Sequence, residues 1–331
     1  MYRHNNNERK ELSKSLTWRY NPSHLKKRRD FLMELKEFME EVKGCVEDTL
    51  GEGYDLSIKD VLKNNGQLYH GLEVKKSLSN IAPVLYLDGY YEQYEKGLGD
   101  IEGISQEVVR IFRQHEKNSV DMSFVTDFEN VRDNIMVKAI NFEGNSKLLE
   151  GLVYEKYLDL AMVYYIGVDF PVDGAGCIMV KKEMLKTWGI RKKELRDAAK
   201  RNMSNQEYML ENIFDLIIKI NGLAGVGAYP EEMCGEGGDV FVLSNPDRLY
   251  GGRLLYDIDK LSKITDKLGK HYYIIPSSIH ELILIRDRLD LELNYIRQMV
   301  HEVNRTTVVA EEVLSDNVYV YDDDSKSVRI A

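Results

Sequence analysis

His271-Tyr272-Tyr273-Ile274-Ile275-Pro276-Ser277-Ser278-Ile279-His280-Glu281-Leu282-Ile283-Leu284-Ile285 decides the fold class. Two apolar, β-branched and aromatic runs, 271–275 and 281–285, each have strand length. They read as two neighbouring strands. The same pattern extends outward. A strand at 239–244 and a helix near 257–268 come before. A helix at 289–303 follows, with Leu289, Leu293, Ile296, Val300 and Val303 on one face. A terminal hairpin joins 318–321 to 328–330 over the polar turn 322–326. Strands thus come in neighbouring pairs rather than in βαβα alternation. This predicts an α+β fold with mixed or antiparallel sheets, helices packed on them and two subdomains.

Further upstream, Phe31, Leu32, Leu35, Phe38, Met39 and Val42 predict an amphipathic helix over 31–43, weakened at Gly44. Strands 54–63 and 67–75 flank Asn64-Asn65-Gly66, where Asn-Gly supplies the two positive φ angles of a tight hairpin. Helices are predicted from Pro83 to Tyr94 and over 104–116. Thr126-Asp127-Phe128-Glu129 fits a capping box opening a helix that carries Val131, Ile135 and Ala139. Strands follow at 158–168 and 176–180, then helices at 181–188, 191–201 and 205–220. The domain reading is a basic, disordered extension at 1–30, an N-terminal α+β subdomain at 31–118 and a C-terminal α+β domain at 119–331.

The charge is uneven. The 331 residues carry a net charge of −10, yet residues 1–30 hold nine Lys/Arg against three Asp/Glu. The acidic remainder repels a phosphate backbone, so nucleic-acid contact is expected only through 1–30, where Trp18 and Tyr20 precede Lys26-Lys27-Arg28-Arg29. Met33 reads as a second candidate translation start. Cys45, Cys177 and Cys234 are too few and too scattered for a disulfide framework, which points to the cytoplasm. No apolar run approaches the length of a membrane span. No phosphate-binding loop, nucleophile elbow or zinc helix occurs, and no cofactor is expected.

Three stretches have chemistry to offer. Ser277-Ser278-Ile279-His280-Glu281 places two hydroxyls, an imidazole and a carboxylate within five positions. One reading makes Ser278 a nucleophile or ligand anchor, His280 its base and Glu281 a third member. However, two residues along a strand span about 6.5 Å, too far for contact without a bend. The preferred reading has Pro276 ending the strand, the serines bonding local backbone, and Ser278-x-x-Glu281 capping a turn. A second His-Glu pair, His301-Glu302, allows a weak metal alternative through His280 and His301. The third stretch runs Ser244-Asn245-Pro246-Asp247-Arg248-Leu249-Tyr250-Gly251-Gly252-Arg253. Asn245, Arg248, Gly251 and Gly252 beside open backbone suit an anionic ligand, or else a plain turn. Asp322-Asp323-Asp324 lacks the spacing of a calcium loop and reads as a solvated turn. Glycine-rich 222–238 fails the dinucleotide fingerprint and reads as a loop. The 21 tyrosines favour a partner surface.

The 240–253 and 274–281 stretches, Met299-Val300-His301-Glu302-Val303-Asn304 and Leu314-Ser315-Asp316-Asn317-Val318-Tyr319-Val320-Tyr321 resemble a bacterial family known as domain of unknown function 5688. Asn64-Asn65-Gly66 and Asn130-Val131-Arg132-Asp133 fit the same resemblance, which covers roughly 33–331. It implies a protein of Gram-positive gut anaerobes, often near mobile elements, and brings no catalytic residues across. The expectation is a cytoplasmic accessory or binding protein. Its site lies where the 245–253 loop and the 276–281 turn converge, with Ser277 and Asn304 as further binding candidates. The expected partner is an unknown protein or a small anionic ligand. A hydrolase or transferase using Ser278, His280 and Glu281 is the rival.

Overall fold

Apolar residues three and four apart make the first helix, α1 (Leu35–Leu50), with Phe38, Val42 and Val46 fully buried. In the computed structural model, which describes residues 33–77, 83–117, 122–170, 174–220, 239–287 and 292–331, α1 continues through Gly44. The basic stretch 1–30, the 222–238 stretch and Cys234 lie outside the described residues. Strands β1 (Tyr54–Leu62), β2 (Leu68–Lys76) and β3 (Val84–Tyr86) form a three-stranded sheet in that order. Helices α2 (Asp88–Lys96) and α3 (Ile101–Lys117) follow. Their apolar faces meet α1 and β2 in one core that includes Phe38, Leu72, Leu87 and Val108.

The chain divides into two compact units. The first holds the described residues 33–59, 71–77 and 83–112. The second holds 60–70, and so the hairpin tip, together with the described residues from 113 onward.

The second unit contains two antiparallel sheets. In one, β6 (Leu160–Phe170) is central. It pairs β4 (Ile135–Asn141) along one side. Its other side is shared by β5 (Tyr154–Tyr157) and β7 (Gly174–Met179). Helices α4 (Lys182–Trp188) and α5 (Lys192–Ser204) follow. The second sheet collects β8 (Met209–Asn212), β9 (Val240–Ser244), β10 (His271–Pro276), β11 (Leu282–Arg286), β12 (Tyr319–Asp322) and β13 (Ser327–Ile330). Its order is β13-β12-β10-β11-β9-β8. Tyr272 faces Arg286 and Pro276 faces Leu282, so these two strands pair antiparallel. Helix α6 (Ile213–Ile220) follows β8, α7 (Ile258–Leu268) precedes β10 and α8 (Leu293–Thr306) precedes β12. One core joins both sheets: Val137, Ile166 and Leu195 share it with Leu243, Tyr272, Leu282 and Tyr319. Burial of each such side chain contributes roughly 1.5–3 kcal/mol. On the other face of the larger sheet, Ile296 and Val300 of α8 cover Ile275, Ile285 and Val318. The fold is α+β with antiparallel sheets.

Four local expectations are corrected. The stretch carrying Ile135 and Ala139 is strand β4, preceded by short helical turns at Phe128–Val131 and Arg132–Asn134. A spacing of four is one helical turn, but it is also two strand alternations, and pairing with β6 along seven residues selects the strand. Asp127, not Thr126, caps that turn by accepting the Glu129 N–H at 3.0 Å. Pro83 leads into β3 rather than opening a helix. The 205–220 stretch divides into β8 and α6, because Met209–Asn212 pairs with β9.

Candidate functional site

Asn245 closes the loop after β9 by itself. Its Oδ1 accepts the Leu249 N–H and its Nδ2 donates to the Leu249 carbonyl, both at 2.9 Å. Arg248 and Tyr250 sit at φ 50° and 57°, the left-handed region that tight loops use. Gly251 and Gly252 then pass directly beneath the 278–280 backbone. A Cβ on Gly251 would stand 2.4 Å from the His280 carbonyl oxygen; one on Gly252 would stand 2.9 Å from that of Ile279. Only glycine permits this approach. The Gly252 N–H donates to Ile279 O at 3.0 Å, and Ser244 Oγ donates to His280 O at 2.8 Å. The loop and the turn therefore converge in backbone contact.

The turn satisfies its own hydroxyl. Ser278 Oγ accepts the His280 backbone N–H at 3.0 Å and does not meet the imidazole. The His280 ring instead stacks on Tyr250, with centroids 5.5 Å apart and planes at 16°. Its Nδ1 accepts the Tyr250 N–H at 3.2 Å. That bond places the ring proton on Nε2, which faces Glu312 Oε1 at 3.7 Å. The Glu312 carbonyl also accepts the Ile279 N–H at 2.8 Å. Arg248 bonds Glu211 and lies 3.9 Å from Glu281, so its charge is already answered. Ser277 is half-buried on the turn. Asn304 is buried and donates to Ser315 O at 3.1 Å and Asp316 Oδ1 at 2.7 Å. Its role is to fasten α8 to the loop before β12.

Neither histidine pair builds a metal centre. His280 faces Glu312, while His301 faces Asp316 at 4.0 Å, and the two join no common ligand set. Among the described residues, the grouping with ligand-type spacing is His271, Asp322 and Asp324 at one end of β10 and β12. Its acids are already engaged: Lys270 holds Asp324 Oδ1 at 2.7 Å, and Asp322 Oδ1 accepts two backbone N–H groups.

Beside Tyr250 lie groups that the sequence reading did not single out. Lys138 of β4 holds its Nζ 4.6 Å from the Tyr250 ring centroid. Cys177 of β7 places Sγ 3.5 Å from the Tyr250 hydroxyl and 4.0 Å from Lys138 Nζ. Tyr165 of β6 meets the same ring edge-on at 5.4 Å. Arg253, only 2% exposed, donates to Tyr250 O at 3.1 Å and to Gln206, and its Nε has no partner. Burial lowers the proton affinity of Lys138; the Cys177 sulfur opposes that and the nearby Lys63 charge adds to it. Burial likewise raises Tyr250. One signal was legible: Lys138 is the single charge inside the apolar run Ile135–Ile140. It was obscured because that run also satisfies helical spacing.

The fold and this junction together define an α+β protein in which backbone and side-chain hydrogen bonds join the 245–253 loop to the 276–281 turn. The chain belongs to the family of unknown function DUF5688, which it matches over residues 35–323. No curated protein and no solved structure matches it.

Proposed function

We propose that the chain is an accessory or binding protein whose contact surface is the junction of the 245–253 loop, the 276–281 turn and Glu312. The observation that carries this reading is the engagement of both His280 nitrogens. Nδ1 accepts a backbone N–H and Nε2 faces a carboxylate, so the ring keeps no free lone pair for a general base. Ser278 Oγ in turn accepts a backbone N–H rather than meeting the imidazole. What reaches solvent is a mixed-sign rim on an aromatic platform: Arg248, His280, Glu281 and Glu312 have side chains 39%, 25%, 33% and 44% exposed. Such a rim with an aromatic centre suits recognition. The cytoplasm fits a chain whose described cysteines, Cys45 and Cys177, are free thiols. Among the described residues, no helix is long and apolar enough to cross a membrane.

The test pairs a pull-down from the native host with a hydrolase screen. The double variant His280→Ala/Glu312→Ala is expected to lose the partner that the wild-type chain retains, while Ser278→Ala keeps it. A hydrolytic or transfer activity abolished by Ser278→Ala and by His280→Ala alike would overturn the reading.

A further inference from the structure

We propose that Lys138, Cys177 and Tyr250 form a receptor for an oxyanion, a phosphoryl or carboxylate group carried by a small ligand. The inference rests on the binding reading above and names the ligand class at the inner edge of the same junction.

The argument is an imbalance of donors and acceptors. Three polar heads from three elements converge: the Lys138 ammonium, the Tyr250 hydroxyl and the Cys177 thiol. The ammonium brings three N–H groups and no acceptor. Facing it are an aromatic ring and a sulfur, and sulfur is a weak acceptor. A half-desolvated cation that meets only a weak sulfur acceptor costs free energy, which the ring offsets only partly. Among the described residues, no carboxylate lies within ion-pair distance of Lys138, although Asp and Glu outnumber Lys and Arg by 55 to 45. After burial, the Cys177 sulfur acts on Lys138 more strongly than the opposing Lys63 ammonium, and no carboxylate is among its neighbours. Asp247 acts on Tyr165 and Arg253 instead. An oxyanion would accept from Lys138 and from the Tyr250 hydroxyl together. All three residues are partly exposed, so the edge is reachable from solvent.

Cys177 reports on its own site. Full-length protein is alkylated with iodoacetamide, and the rate at each cysteine is followed by peptide mass spectrometry. Inorganic phosphate at about 10 mM is compared with chloride at equal ionic strength, with acetate as a second arm. Phosphate is expected to slow Cys177 about threefold, as a millimolar site would, and to leave Cys45 on α1 unchanged. Lys138→Met is expected to remove the protection and Lys138→Arg to keep it. Protection by phosphate alone assigns a phosphoryl group; by acetate alone, a carboxylate. No protection by either, protection that persists in Lys138→Met, or a Cys177 that never labels would overturn the proposal. Partner retention that depends on His280 and Glu312, without anion protection, would leave the binding surface standing and remove only the ligand class.

Discussion

Gly251 and Gly44 lack a side chain for opposite reasons. At Gly251 a Cβ would stand 2.4 Å from His280 O and 2.5 Å from Ser244 Oγ, both fixed by the junction. Gly251→Ala is expected to cost about 3 kcal/mol through forced separation of loop and turn, read by urea denaturation. At Gly44, inside α1, nothing lies within 4 Å of that position. Gly44→Ala is expected to gain about 0.5–1 kcal/mol, because alanine is the better helix former. Equal effects of the two substitutions would refute the close approach. The glycine pair was legible in the sequence as open backbone, but its reason was not. The segment it accommodates lies some thirty positions later, at Ser278–His280, and no local pattern predicts that meeting.

At the scale of elements, the Asn64–Gly66 tip does more than close a hairpin. Asn65 adopts φ 55°, and its Nδ2 donates to Ala310 O at 2.8 Å and to Val313 O at 2.6 Å. Its N–H donates to Asn145 Oδ1 at 2.8 Å. The same 310–313 segment then reaches the site through the Glu312 carbonyl and carboxylate. Asn65→Ala is expected to cost about 2–3 kcal/mol, the sum of lost hydrogen bonds and a strained φ. Asn65→Gly relieves the φ strain and should cost about 1 kcal/mol less. If both cost the same, the backbone conformation contributes nothing. The turn itself was readable, since Asn-Gly dictates positive φ. Its clasp on 310–313 was not, because the partners are backbone carbonyls that any residue provides. Strand β4 is ambiguous in sequence for a related reason: Val131, Ile135 and Ala139 satisfy two periodicities, and only the presence of β6 chooses between them.

Across the whole molecule, tyrosine is a structural material. Burial pushes Tyr165 up to about 12 and also raises Tyr164, Tyr272 and Tyr319, which the adjoining carboxylates or phenols raise further. The unfolded chain releases these protons near pH 10, before the folded chain does. Stability is thus fully present below pH 10 and falls as pH rises towards 12. For Tyr165 the loss by pH 12 is about 2–3 kcal/mol, and Tyr165→Phe should remove that part of the slope. A free energy of unfolding that stays flat between pH 9 and 11.5 would contradict the burial. Short-range signals settled a great deal on their own: run lengths gave the paired strands, Asn-Gly gave the hairpin turn, and composition gave the acidic body. Tertiary structure alone decided which polar groups remain available. Ser278, Asn245, Asn304 and Arg248 find partners within the fold, whereas Lys138, Cys177 and Tyr250 meet from β4, β7 and a loop. A side chain's chemistry depends on the neighbours it keeps after folding, and here those neighbours come from distant parts of the chain.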